Sequence, residues 1–196
     1  MIYGDRIRLR ANERDDIALF VRWLNDPEVR RGLLIHLPIS QAEEEVWFEN
    51  MLKRPKEQRP LLIEVRQKDN ASAGESWIPI GNCAFDDIDW RNRSGVVGIV
   101  IGEKSYWNQG YGTETMLLLL KHGFQTLNLN RISLLVFANN QPAIRAYEKA
   151  GFAHEGRMRQ AEYRGGQYLD VLLMSVLREE WVFGELGSGD ARAARS

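Results

Sequence analysis

The segment Ser105-Tyr106-Trp107-Asn108-Gln109-Gly110-Tyr111-Gly112-Thr113-Glu114 decides how the rest of the chain is read. It follows an apolar, strand-like run, Val96-Val97-Gly98-Ile99-Val100-Ile101, and leads into a leucine-rich helix over 116–127. A strand that turns through glycines into a helix N-terminus is suited to hold a phosphate. The glycines let backbone N–H groups approach the anion, and the first N–H groups of the helix lack intrahelical partners. The helix dipole adds partial positive charge at the same point. The spacing alone is weak evidence. Gly110-x-Gly112 is shorter than the dinucleotide fingerprint and lacks its third glycine, and no Gly-Lys-Ser/Thr follows as in an ATP-binding loop. Taken by itself it is equally a plain strand-to-helix turn.

The whole chain narrows the choice. Its 196 residues suit one α/β domain with a full core. Lys and Arg number 26 against 27 for Asp and Glu, which argues against a nucleic-acid or membrane-surface protein relying on basic excess. No apolar run is long enough to span a bilayer, and Met1-Ile2-Tyr3-Gly4-Asp5-Arg6 does not read as a signal peptide. Cys83 is the single cysteine, so no intrachain disulfide forms, which fits a reducing compartment. The expectation is a soluble cytoplasmic protein that engages neither nucleic acid nor membrane.

Working outward, Ile7-Arg8-Leu9-Arg10 alternates as a first strand. Asn12-Glu13-Arg14-Asp15-Asp16 caps a helix through Phe20, Val21 and Leu24, and Asn25-Asp26-Pro27 punctuates it. Residues 31–39 form an apolar loop, and Ser40 with Glu43 is a capping box opening a helix through Val46, Trp47, Met51 and Leu52. Strands follow over 61–65 and 78–85, separated by a turn-rich loop at 69–74, and 86–94 reads as a polar turn. After the leucine-rich helix, 132–137 is a buried strand. Asn139-Asn140-Gln141-Pro142 starts another helix, which ends at Gly151. Two last strands, from Phe152 and over 168–177, hinge at Gly165-Gly166, and the tail from Gly184 is expected to fray. This order implies a mixed sheet with helices on both faces.

Asn140-x-x-Ala143-x-x-x-Tyr147-Glu148-Lys149-x-Gly151-Phe152 lies about one βα unit downstream of the glycine turn. Together the two motifs resemble the paired signature of the GNAT superfamily of acyl-CoA-dependent N-acetyltransferases. The likeness is greatest to the branch holding spermidine N-acetyltransferases and the enzymes that acetylate ribosomal-protein N-termini. It covers roughly residues 5–180, taken as one domain, with 181–196 as a C-terminal tail. The resemblance implies an α/β (α+β) fold with a mixed, mostly antiparallel sheet of about seven strands flanked by about four helices. It also implies acetyl-CoA as co-substrate, a small-molecule or peptide amine as acceptor, no metal, and an assembly in which a homodimer stays open.

The resemblance assigns a job to each matched position. The strand at Ile99, Val100 and Ile101 would splay from its neighbour and pair with the pantetheine arm. The turn of Trp107, Asn108, Gln109, Gly110, Tyr111 and Gly112, with Thr113, would surround the pyrophosphate. Asn140 would hydrogen-bond the co-substrate, Tyr147 would sit near its sulfur, and Lys149 would reach its phosphate end. Asn140 and Tyr147 are seven positions apart, two helical turns, and so share one helix face. A phenol of pKa near 10 is close enough to a thiol of about 8.5 for proton donation to help. Tyr147 as a packing aromatic and Asn140 as a simple N-cap remain alternatives.

Acetyl transfer to an amine needs the amine's proton removed, the carbonyl polarised and the thiolate stabilised. A lysine-like amine has pKa about 10.4 and an N-terminal amine about 7.7–8.0. A backbone N–H of the 99–101 strand can polarise the carbonyl, and direct attack in a ternary complex requires no enzyme nucleophile. Cys83 reads as a packed core residue. The base is the gap: many relatives in the branch carry a glutamate where this chain has Val96, so the base lies elsewhere or water relays the proton; Asp86, Asp87, Asp89 and Glu103 are nearby candidates, each more readily read as a solvated turn residue. Trp107 is a second departure from the broad superfamily, which usually has Arg or Gln there, although this branch often has Trp.

The acceptor would be framed by 25–47 and 159–168, where Glu28 and Glu43-Glu44-Glu45 could draw a cationic amine. The apolar loop over 33–39 could equally favour a peptide or drug-like acceptor. His36, His122 and His154 show no metal-ligand spacing. Two functional readings follow: an acetyl-CoA-dependent N-acetyltransferase, or a catalytically silent acyl-CoA-binding module.

Overall fold

The computed structural model describes residues 1–67 and 76–181; the loop at 69–74 and the tail from Gly184 lie outside the described residues. Eight strands form one sheet: β1 (Ile2–Tyr3), β2 (Ile7–Ala11), β3 (Leu61–Gln67), β4 (Ser76–Asp89), β5 (Ser94–Ile101), β6 (Arg131–Phe137), β7 (Ala153–Arg164) and β8 (Gln167–Leu177). Their order is β1-β2-β3-β4-β5-β6-β8-β7, antiparallel throughout except where β5 meets β6. The helices are α1 (Ile17–Asn25), α2 (Pro27–Arg30), α3 (Gln41–Met51), α4 (Tyr111–Lys121) and α5 (Gln141–Lys149).

The sheet is mixed and the helices cover both faces, as the order of elements predicted. Two elements exceed the expectation. β1 is a two-residue edge pairing, too short to show a period. α2 is a single turn, capped where Asp26 accepts from the Glu28 and Val29 amides and started by Pro27; the sequence there read as punctuation only.

One face of the sheet carries α4 and α5 on the main core, where Met116, Leu119, Leu120 and Ile144 pack against Ile80, Ile132 and Met174. The other face carries α1 and α3, with Phe20 and Trp23 on Leu62 and with Phe48 and Met51 on Ile17. The capping box at Ser40 and Glu43 is formed as its spacing predicted.

Residues 86–89, expected in a polar turn, continue β4. They do so beyond a bulge: Phe85 faces Val97 and Asp87 faces Val96, leaving Asp86 as the extra residue. A bulge of this kind bends the strand and re-aims a side chain.

Candidate active site

β5 and β6 run parallel for only three pairs, Ser94 with Arg131, Gly95 with Ile132 and Val96 with Ser133. Beyond Val96 the strands diverge. β6 keeps its partner β8 through Phe137, while β5 keeps only β4. Residues 97–101 therefore present one backbone edge without a strand partner. The gap opens into a cleft of about 1770 Å³, lined by Ile99, Val100 and Ile101, by the turn before α4 and by α5. A backbone edge open to such a cleft invites pairing by an extended, amide-bearing chain.

At the mouth of the cleft lies the glycine turn. Gly110 is the N-cap of α4 with φ 87°, a left-handed conformation that glycine adopts without strain. Asn108 is also left-handed, at φ 59°. Among the described residues the N–H groups of 108–113 find no backbone acceptor, whereas Glu114 N–H already bonds Gly110 O at 3.0 Å. A row of orphaned N–H groups on a helix start is an anion site. Arg6, on the segment before β2, anchors it. Its side chain bonds Glu114 at 2.8 Å and the Gln109 carbonyl at 3.1 Å, and its guanidinium stacks on Tyr111 at 4.5 Å. The sequence pattern did not single out Arg6, because its partners lie far away in the chain.

Trp107, Asn108, Gly110, Tyr111, Gly112 and Thr113 all line the cleft. Gln109 does not: its side-chain amide turns back to the Ser105 carbonyl at 2.5 Å. Trp107 donates its indole N–H to the Ile101 carbonyl at 2.7 Å, so it fixes the exit of β5 rather than replacing an arginine's charge. On α5, Asn140 accepts the Ala143 amide at 3.3 Å as an N-cap, and it also lines the cleft. Lys149 and Arg145, four residues apart on one helix face, place two cations on the cleft wall. Arg145 lies outside the motif positions and was missed in the sequence.

Tyr147 also faces the cleft, packed on Phe152 with ring centroids 6.0 Å apart and only 8% exposed. Burial pushes its phenol up to about 12. The group therefore stays protonated at any working pH and acts as a hydrogen-bond donor. Full proton transfer to a thiolate of pKa about 8.5 would be uphill by about 5 kcal/mol, whereas a hydrogen bond from the phenol carries no such cost.

Of the four carboxylates near Val96, the fold brings one into the cleft. The bulge turns Asp86 inward over Gly98: a Cβ built there would stand 2.8 Å from Asp86 Oδ2. Asp86 is solvent-exposed along the open cleft, and the protein around its carboxyl removes part of its hydration. That desolvation raises its pKa, and the nearby Arg54 offsets it in part. Asp89 instead caps the Asn92 turn at 2.9 Å, Glu103 is paired with Arg22 at 2.7 Å, and Asp87 stays outside the cleft. Val96 is 37% exposed and bears no titratable group. Cys83 is buried, and burial raises its thiol pKa, which disfavours a thiolate.

The acidic residues expected to attract a cation are placed elsewhere. Glu43 is consumed by the Ser40 capping box, Glu45 holds Gln41 at 2.9 Å, and Glu44 is buried, with its pKa raised by that burial. None of the three lines the cleft. Glu28 does, but Lys104 engages it at 2.6 Å. Among the described residues no three His, Cys, Asp or Glu side chains converge on a metal-sized site, and no helix is long and apolar enough to cross a membrane.

Residues 6–153 match the sequence model of a family described as acetyltransferase (GNAT) domain. An uncharacterized N-acetyltransferase, p20, of Bacillus licheniformis is 30% identical over 92% of this chain and 97% of its own length. The spermidine N(1)-acetyltransferase of Vibrio cholerae is 26% identical over 91% of this chain and 97% of that protein. The crystal structure of spermidine N-acetyltransferase from the same organism, in complex with CoA and spermine, superposes with a TM-score of 0.78. It covers 91% of this chain and 99% of that one, at 24% identity, a likeness of fold.

Proposed function

The chain belongs to the GNAT family of acetyltransferases and uses acetyl-CoA as donor, and from that premise we propose that it acetylates a primary amine by direct attack, with Asp86 as the base. The observation that carries this reading is the β4 bulge, which sets a carboxylate over Gly98 in the cleft although Val96 has none. The fit to the donor rests on the unpartnered N–H groups of 108–113, the left-handed Gly110 and the cations Arg145 and Lys149. Those N–H groups would hold a pyrophosphate, and the two cations its outer phosphate. The unpaired edge of 97–101 would bind an extended amide-bearing arm.

Bound acetyl-CoA supplies an acyl thioester. Residues of this chain supply the rest. Asp86, whose pKa partial desolvation raises above that of a free aspartate, takes the proton that the amine loses on attack. A backbone N–H of the 99–101 edge polarises the acyl oxygen. Tyr147 donates a hydrogen bond to the departing thiolate sulfur and keeps its proton.

An amine panel with acetyl-CoA, read by release of free thiol, tests the proposal; spermidine, peptides with varied N-termini and aminoglycosides form its arms. Thiol release that depends on the amine is expected from at least one arm. Acetyl-CoA binding by calorimetry with no product across the panel would establish the silent acyl-CoA-binding module instead.

A further inference from the structure

Arg164 ends β7, beside Gly165 and Gly166, whose φ values of 54° and 83° turn the chain into β8. Its guanidinium lies over the Phe137 ring, 5.0 Å from the centroid, and one terminal nitrogen, Nη1, donates to the Arg30 carbonyl at 3.2 Å. The other edge, Nε and Nη2, is buried and has no acceptor among the described residues. Those two N–H groups are the parallel pair with which arginine reads a carboxylate or a phosphate. Arg10 shows the contrasting, satisfied state: its guanidinium is filled by Asp16 and Glu64. A buried cation whose bidentate edge is empty is costly to hold, so the edge calls for an anion.

No acid of the described residues reaches that edge. Arg164 lines the cleft together with Arg30 and Arg31, whose side chains carry no acidic partner among the described residues. Of the acids on the same cleft, Glu28 is held by Lys104 and Asp86 is the base assigned above, leaving Glu162 on the same face of β7. This end of the cleft is a poor seat for a polycation.

We propose that the acceptor carries, besides its amine, an anionic group, a carboxylate or a phosphate, that seats on the Nε–Nη2 edge of Arg164. The proposal deepens the transferase reading and rests on it. Because Nε and Nη2 are buried, the proposal includes an opening of the β7–β8 turn at Gly165–Gly166 to admit the anion.

The test compares ω-amino carboxylates of increasing chain length, aminoalkyl phosphates, the uncharged amides of the carboxylates, and spermidine. Each is assayed with acetyl-CoA for thiol release. In parallel, the N-acetylated carboxylates and amides are titrated calorimetrically into the protein loaded with CoA. At a suitable chain length an anionic compound is expected to exceed its amide by roughly 30-fold or more in kcat/KM or in affinity. The carboxylate and phosphate arms decide which anion it is. Arg164→Met should erase that preference and Arg164→Lys restore part of it, with acetyl-CoA affinity unchanged. Equal use of anionic and uncharged acceptors overturns the proposal. So does a loss of acetyl-CoA affinity in Arg164→Met, which would assign the edge to a donor phosphate. If no amine is acetylated while N-acetyl carboxylates still bind through Arg164, the transferase reading fails and the anion site stands.

Discussion

The role of Asp86 is open to a two-sided perturbation, because one substitution removes the base and another only displaces it. Asp86→Asn keeps the shape of the side chain but cannot accept a proton. Loss of a positioned base lowers turnover by roughly 10²- to 10⁴-fold, about 3–5 kcal/mol in the barrier. Gly98→Ala leaves the carboxyl in place chemically and crowds it. The added Cβ would stand 2.8 Å from Asp86 Oδ2, against about 3.4 Å for ordinary contact, so the carboxylate must retreat by about 0.6 Å. A misplacement of about 1 Å costs on the order of 100-fold, which puts Gly98→Ala at roughly tenfold.

The assay is kcat/KM for the acceptor at saturating acetyl-CoA, followed from about pH 5 to about pH 9, with acetyl-CoA affinity measured separately. Desolvation raises the Asp86 pKa above that of a free aspartate, and Arg54 is the charged group that opposes the shift. The reactive form is the carboxylate, so activity falls as pH drops through that raised value. Asp86→Asn should lack this acidic limb, and acetyl-CoA affinity should be unchanged in both variants. A second limb, set by the acceptor's own amine, persists in all three proteins. An Asp86→Asn protein within about threefold of wild type, with its acidic limb intact, would refute the assignment of the base.

Two further outcomes test other parts of the structure. Tyr147→Phe should lower kcat by about 10- to 100-fold while leaving acetyl-CoA affinity nearly unchanged; equal losses in both would make Tyr147 a packing residue. Because burial holds its phenol at about 12, no alkaline loss of activity attributable to Tyr147 should appear below about pH 10. Glu155→Gln should cost about 1 kcal/mol of stability near neutral pH, with solvent screening of this part-exposed pair taken into account. Arg131, and then Ser175, hold the Glu155 carboxyl down at about 2, from an ordinary value of 4.5. This stabilisation is present above pH 4.5 and is lost as pH falls towards 2, so chemical denaturation of the two proteins should converge at the acid end.

The proposed donor end of the site is legible in the chain because its parts are contiguous. A phosphate is held largely by backbone N–H groups, and a strand, two glycines and a helix start within one short segment declare those groups whatever packs around them. Asn140 and Tyr147 share a helix face by spacing alone. The splay of β5 from β6 followed only from family resemblance, and the structure shows where it begins, at Val96 and Ser133. The single-turn helix α2 and the edge strand β1 escaped notice because neither is long enough to carry a period.

The proton's route and the acceptor end were not legible, and the reason is physical. Asp86, Asp87 and Asp89 are equivalent as letters; only the one-residue slip between β4 and β5 turns the first into the cleft and leaves the others to solvent or to a turn. Glu43, Glu44 and Glu45 at a helix start read as dipole partners or as a lure for a cation, and packing decides: one is in a cap, another is buried and none lines the cleft. Arg164 gains its meaning from Phe137 and Arg30, residues of two other elements that fix one edge of its guanidinium and leave the other empty. The proposed backbone recognition of acetyl-CoA rests on a local pattern that the sequence determines by itself. The proposed recognition of the acceptor rests on side chains from separate segments, and only the tertiary structure brings those charges together.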